Sequence, residues 1–411
     1  KESENYISYN GIGLGHRSLS IIDLTAKADQ PFSLPEKKIS IVYNGELYNY
    51  QEIKKELKES GYTFRTNSDT EVVLCAYDKW QEDCLNKFNG MFSFAIWNDN
   101  DRTLFCARDH IGIKPFYYEI DEYGFSFSSE SQALGTRKID QFAVRSYLFG
   151  MYVPSHLSIY EGVKKLLPGH SILVKSNGEI LIRKYWDIPF ERNYDIKTSK
   201  DAELFISPVL NESIKRQLTS DVPVGAFLSG GYDSGLIVAK AAETITSLNT
   251  YSVGFDGNSQ ANELEIAKRV AKKYQTKHHE RIIGSSEVIS LLDKALSRMS
   301  EPVSDSAIVP TYCLSEMASI DGIKVMLSGT GGDEVFGGYE RYTGYSMSRN
   351  LFLKTPSLFR NLISTLPFPD PTWNSRIKSN FMDMLISTGG SPKLASKTFK
   401  NRSDYGQVFW H

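Results

Sequence analysis

The sequence predicts two folds in one chain. Residues 1–190 read as an α+β part built from stacked antiparallel sheets, and residues 191–411 as an α/β part with a doubly wound, mainly parallel sheet. Three observations carry this. The first part alternates short apolar runs with hairpin turn signals. From about Ser199 the rhythm changes to repeated strand-then-helix units. Two apolar strands in the second part, Val222 to Leu228 and Ile323 to Leu327, run directly into glycine-rich turns. Such turns lie where open parallel sheets bind their ligands.

Taken in order, Ile39 to Tyr43 is a short strand that the Asn44-Gly45 pair is expected to end. Tyr50 to Ser60 reads as a helix with Ile53 and Leu57 on one face. The run Ser68-Asp69-Thr70-Glu71 has the spacing of a capping box and opens the next helix. Met91 to Trp97 and Thr103 to Ala107 are strands joined by the turn Asn98-Asp99-Asn100-Asp101, and Pro115 to Ile120 pairs with Gly124 to Ser128. The polar stretch Ile188 to Lys200 marks the boundary. Beyond it come strand 222–228, helix 233–243, strand 250–255, helix 262–274, strand 280–283, helix 286–299 and strand 323–327.

Composition bounds the function. The chain has 411 residues, 41% hydrophobic and 23% charged, which suits two folded domains. Its 47 Lys and Arg against 49 Asp and Glu leave a net charge of −2, so no broad basic surface recommends nucleic acid as partner. No apolar stretch is long enough to span a bilayer, and the polar start Lys1-Glu2-Ser3-Glu4 has no signal-peptide core. Cys75, Cys84, Cys106 and Cys313 have neither metal nor disulfide spacing and read as the buried, reduced thiols of a cytoplasmic protein. A first residue of Lys rather than Met reads as a trimmed or incomplete start.

The turn Ser229-Gly230-Gly231-Tyr232-Asp233-Ser234 has the makings of an anion site. Glycines let backbone N–H groups approach an oxyanion, and the following helix N-terminus adds partial positive charge. The two serines add hydroxyl donors, and Asp233 is a candidate magnesium ligand. No Lys-Ser or Lys-Thr follows the glycines, which excludes a Walker-type loop. Ser328-Gly329-Thr330-Gly331-Gly332-Asp333-Glu334 repeats the logic. Asp333 alone reads as a helix N-cap; together with Asp233 it reads as a second carboxylate for magnesium between phosphates. The adjacent His278 and His279 point to opposite faces of a strand and do not suggest a metal site.

These residues resemble glutamine-hydrolysing asparagine synthetases. Ser-Gly-Gly-Tyr-Asp-Ser at 229–234 and Ser-Gly-Thr-Gly-Gly-Asp-Glu-Val-Phe-Gly-Gly-Tyr at 328–339 are similar to the family's ATP-pyrophosphatase (PP-loop) domain. Gly13 to Asp23, Tyr43-Asn44-Gly45-Glu46-Leu47-Tyr48-Asn49, Ser68 to Glu71, Ala107-Arg108-Asp109 and Gly112-Ile113-Lys114-Pro115 are similar to its class II glutamine amidotransferase domain. The resemblance runs in order from Gly13 to Tyr345. It implies an Ntn-hydrolase-like sandwich in the first part. It implies glutamine hydrolysis there, passage of ammonia through an internal tunnel, adenylation of a carboxylate by ATP with Mg2+, and displacement of AMP by ammonia. Asn44 and Gly45 would form an oxyanion hole, and Glu46 and Asp69 would bind the substrate amino group. Leu228, Val253, Ser328 and Gly329 would contact adenosine, and Ser229, Gly230, Gly231 and Ser234 would hold pyrophosphate. Aspartate is the default acceptor, and a homodimer is expected.

The departures set further expectations. The family's N-terminal cysteine nucleophile has no counterpart at Lys1, its glutamine-carboxylate arginine falls at Ser18, and its acidic residue in the second loop falls at Thr330. The chain as it stands is therefore expected not to hydrolyse glutamine and to prefer ammonia, and Ser18→Arg to improve glutamine use. The family's Arg-x-Pro-Phe-Leu-Asp run and catalytic lysine are not recognisable after Tyr345, and residues 389–411 carry no motif that reads as the family's. Two alternatives follow: amidation of a sugar acid for surface polysaccharide, and a nucleotide-binding scaffold with a silent glutaminase site.

Overall fold

The computed structural model describes residues 2–9, 11–135, 138–189, 195–257 and 261–339. The Arg-x-Pro-Phe-Leu-Asp question and the 389–411 tail lie outside these. The first part contains β1 (Glu2–Tyr9), β2 (Ile12–Leu19), β3 (Phe32–Leu34), β4 (Ile39–Leu47), α1 (Tyr50–Glu59), α2 (Asp69–Trp80), β5 (Gly90–Asn98), β6 (Thr103–Arg108), β7 (Tyr117–Asp121), β8 (Gly124–Ser128), α3 (Gln141–Gly150), β9 (Lys164–Lys165), β10 (His170–Val174) and β11 (Ile180–Lys184). A six-stranded antiparallel sheet in the order β11-β10-β6-β5-β4-β3 forms its middle layer, flanked by a three-stranded sheet β8-β7-β9 and the β1-β2 hairpin.

Strand periodicity explains the layers. Ile41 and Tyr43 of β4, Phe92, Phe94 and Ile96 of β5 and Phe105 of β6 face α1 and α2 across one core. The alternating residues Val42, Ala95, Trp97, Leu104 and Cys106 join a second core with Leu14, Phe116 and Tyr118. Both faces are buried, so these strands carry apolar residues on both faces rather than on one.

One expected boundary is wrong. Asn44-Gly45 does not end β4; the strand runs through it to Leu47, paired with β5 from Ile39↔Asn98 to Leu47↔Gly90. The glycine is there for contact, not for turning. A Cβ at Gly45 would lie 2.4 Å from Met91 O and 2.8 Å from Phe92 Cα.

The second part contains α4 (Ser199–Gln217), β12 (Val224–Phe227), α5 (Tyr232–Ala241), β13 (Asn249–Phe255), α6 (Ala261–Lys273), β14 (Lys277–Ile283), α7 (Val288–Leu296), α8 (Ile308–Ile320), β15 (Val325–Leu327) and α9 (Gly332–Phe336). Its parallel sheet has the order β14-β13-β12-β15. Val238 and Ala241 of α5 and Ala267 and Ala271 of α6 cover one face. Leu291 of α7 and Val309 and Cys313 of α8 cover the other, against Val253 and Ile283. Helices on both faces make the sheet doubly wound. Among the described residues no helix is long and apolar enough to cross a membrane. By compactness the chain divides at Ser328/Gly329.

Candidate active site

The open edge of β4 makes a cleft. Because β3 pairs only with Ile39 to Ile41, β4 has no strand beside it from Val42 onward on that side among the described residues. Gln30 fills part of the gap: its Nε2 donates to Tyr43 O at 2.9 Å and its Oε1 accepts from Tyr43 N at 2.6 Å, as a neighbouring strand would. The remaining space, about 460 Å³, is lined by His16, Arg17, Asn44, Gly45, Glu46, Asp69 and Lys114, among others. Four residues singled out by sequence, Asn44, Gly45, Glu46 and Asp69, therefore meet in one place. None of the four cysteines lines it, and all four are buried.

Asp69 is fixed from α2. Its Oδ2 accepts from Tyr43 Oη at 3.0 Å and from Leu47 N at 2.9 Å, tying the helix N-terminus to β4. The expected capping box forms only by half. Ser68 caps α2 by accepting from Thr70 N at 3.2 Å, but Glu71 turns the other way. It accepts from Arg65 N at 3.0 Å, Thr66 N at 2.7 Å and Thr66 Oγ1 at 2.6 Å, and so shapes the loop before the helix.

Glu46 is the unusual group. It is buried, and its Oε1 has no hydrogen-bond partner among the described residues. Burial, then the neighbouring Asp69 carboxylate, push its carboxyl up to about 9, while the Lys114 ammonium pulls the other way. Burial raises Asp69 as well, offset by its hydrogen-bond donors. Of the pair, Asp69 has the donors that stabilise a charge, and Glu46 holds the proton. A buried acceptor without a donor costs free energy unless something supplies one. A ligand ammonium group fits that demand.

Lys114 and Gln30 are site residues that sequence reasoning missed. Lys114 stands at the end of a tightly built loop. Asp109 Oδ1 accepts from Ile113 N at 2.9 Å and its Oδ2 from Lys114 N at 2.9 Å. The buried Arg108 guanidinium donates to the carbonyls of Lys114, Leu166 and Gly112 at 2.8, 2.7 and 2.7 Å. The Ala-Arg-Asp motif thus builds the loop. The available signal was its proximity in sequence to Gly112-Ile113-Lys114-Pro115. Arg17 lines the cleft from β2, and its neighbour Ser18 pairs in register with Ser3 of β1.

In the α/β part Ser229 follows β12 and Ser328 follows β15, adjacent strands whose carboxyl ends emerge side by side. Ser229 Oγ and Ser234 Oγ are 2.8 Å apart, and Gly231 N donates to Ser229 Oγ at 3.1 Å. Leu228 is buried, and its N donates to Tyr251 O at 2.9 Å. Gly230 sits close to α6, where a Cβ would lie 3.0 Å from Glu263 Cα. Asp233 lies in the first turn of α5. Val253 is half-buried on β13. In the unit from Gly329, Gly331 with φ +106° is the N-cap of α9, so Asp333 is not the cap that its sequence allowed. His278 and His279 spend both ring nitrogens on neighbours: Thr250 and Glu280 for the first, Asn249 and Asp321 for the second.

Both parts of the chain are similar to known proteins. Residues 2–186 match the glutamine amidotransferase domain family and residues 206–404 the asparagine synthase family. A putative glutamine-hydrolysing asparagine synthetase 2 of Methanocaldococcus jannaschii is 37% identical over 391 residues, covering 88% of this chain and 73% of the relative. The chain belongs to the glutamine-hydrolysing asparagine synthetase family. Asparagine synthetase 1 of Bacillus subtilis is 36% identical over 367 residues, 88% of this chain, but the chain spans only 57% of that relative's length. A more distant relative is an amidase, chry2, of Gibberella zeae, 30% identical over 82% of this chain and 53% of its own.

Proposed function

We propose that the protein is an ATP-cleaving, AMP-forming amide ligase that takes ammonia from glutamine and has aspartate as its default acceptor. The observation that carries this is the unpartnered Glu46 Oε1 beside Asp69, in a cleft that also presents Asn44 and Gly45. In this reading Glu46 and Asp69 hold the glutamine amino group. Asn44 offers an amide donor and Gly45 a backbone N–H to the oxyanion formed when the side-chain amide is attacked. Hydrolysis gives glutamate and ammonia. In the α/β part a carboxylate oxygen attacks the α-phosphorus of ATP, releasing pyrophosphate. Ammonia then attacks the acyl carbon and AMP leaves.

The loop residues Ser229, Gly230, Gly231 and Ser234 are proposed to hold pyrophosphate, and Leu228, Val253, Ser328 and Gly329 to contact adenosine. Asp233, in the first turn of α5, is proposed to hold magnesium through its carboxylate. Asp333 is proposed as a second ligand on the sequence of its own loop. When bound, the ion neutralises phosphate charge. A homodimer in the cytoplasm is also proposed; sedimentation showing only monomer at micromolar protein would contradict the dimer. The reported relatives are asparagine synthetases and an amidase, and do not favour the sugar-acid acceptor. The scaffold reading rests on Ser18 and Thr330.

The test incubates full-length protein with ATP, aspartate and either glutamine or ammonia, and follows AMP and asparagine. Formation of both is expected with either donor, and faster with ammonia than with glutamine. ATP left intact with both donors rejects the ligase and leaves the scaffold.

A further inference from the structure

The segment 299–304, between α7 and α8, is grasped along its length by the first part. Gln132 Nε2 donates to Met299 O at 2.8 Å, and Ser131 Oγ donates to Ser300 O at 2.8 Å. Glu301 Oε1 accepts from Ile159 N at 3.1 Å, and its Oε2 lies 2.5 Å from Lys165 Nζ. Ser304 Oγ donates to Tyr147 Oη at 2.7 Å. The Lys165 and Glu301 side chains are only 6% and 10% exposed. A buried pair of this kind fixes one geometry, because neither charge tolerates loss of its partner.

The position of this clasp suggests a role beyond stability. Ser128, Ser129 and Glu130 line the cleft, and the next two residues, Ser131 and Gln132, make the first two bonds of the clasp. Lys165 pairs in register with Tyr117 of β7, the strand beside β8 that ends at the same cleft wall. On the other side, the segment leads into α8. That helix packs its Ala318 against Tyr251 of β13, and Tyr251 O accepts from Leu228 N at the start of the glycine loop. A continuous run of bonded and packed groups therefore joins the cleft wall to Leu228.

We propose that Glu301 is a positioning residue that couples occupancy of the amino-acid cleft to nucleotide binding at the 229–234 loop. The proposal rests on the reading of the cleft given above. Coupling is reciprocal, so ATP must change the affinity for a cleft ligand by the factor by which that ligand changes the affinity for ATP. The test measures calorimetric Kd values for L-glutamate on the full chain, with and without saturating ATP and magnesium.

In the wild type a change of about fivefold or more is expected. In Glu301→Gln, glutamate and ATP should each still bind alone while the factor falls towards one. Gln132→Ala removes a single bond from an exposed side chain and leaves the ion pair intact. It should lower the factor without moving the Tm, and it serves as the test if Glu301→Gln does not fold. A factor of one in the wild type, with both ligands bound, overturns the coupling and leaves the proposed function standing, as does an undiminished factor in the variants. Failure of the wild type to bind glutamate at all overturns the cleft reading and the coupling with it.

Discussion

Glu46 shows how one residue records its partner's chemistry. Its carboxyl is pushed up to about 9, so between about pH 4.5 and 9 the folded protein holds a proton that the unfolded chain has released. Stability therefore falls as pH rises across that window. Glu46→Gln abolishes this proton difference. The variant should melt near the wild-type temperature at pH 5 and above it at pH 9, while binding glutamine more weakly. Parallel Tm curves for the two proteins would contradict the assignment. Ser18 raises a different question. A charged contact to the glutamine carboxylate is worth on the order of 2 kcal/mol. Ser18→Arg is expected to lower the KM for glutamine about tenfold or more and leave that for ammonia unchanged. A glutamine KM that does not move would instead assign the carboxylate to Arg17, which already lines the cleft.

At the scale of elements, the N-terminus of α2 is set by two acidic residues with opposite tasks. Asp69 reaches across to β4, and Glu71 gathers the backbone of Arg65 and Thr66. Glu71→Ala would leave buried N–H and hydroxyl donors unpaired and should cost about 2–4 kcal/mol, read from the denaturant midpoint. Activity should fall further than stability explains, because Asp69 follows that loop. The glycine loop after β12 was legible because its physics is local: strand, glycines, helix start. Asp233→Asn should suppress ATP-to-AMP conversion at least tenfold while the Tm shifts little, since Asp233 is only partly buried in a first helical turn. Full turnover in that variant would remove it from the site.

For the molecule as a whole, the alternation of strand and helix gave away the α/β part, because each element there carries its own period. The first part was legible only as strands and turns. The pairing of β3 with just three residues of β4, which opens the cleft, depends on Gln30 replacing a strand thirteen residues before its partner, a substitution that no periodicity encodes. The same holds for Lys165 and Glu301, which meet only once both parts are folded. Asn44-Gly45 misled because the pair is common in turns, whereas here the missing side chain admits a neighbouring backbone.

That close approach is mutual. A Cβ at Gly90 would lie 2.3 Å from Glu46 O, as one at Gly45 would lie 2.4 Å from Met91 O. Each obstruction is main chain, which no substitution elsewhere can trim. The two positions should therefore be closed to compensatory evolution. In a genetic screen that reads the proposed amide-forming activity, Gly45→Ala should yield true revertants to glycine but no second-site suppressors within β4 or β5.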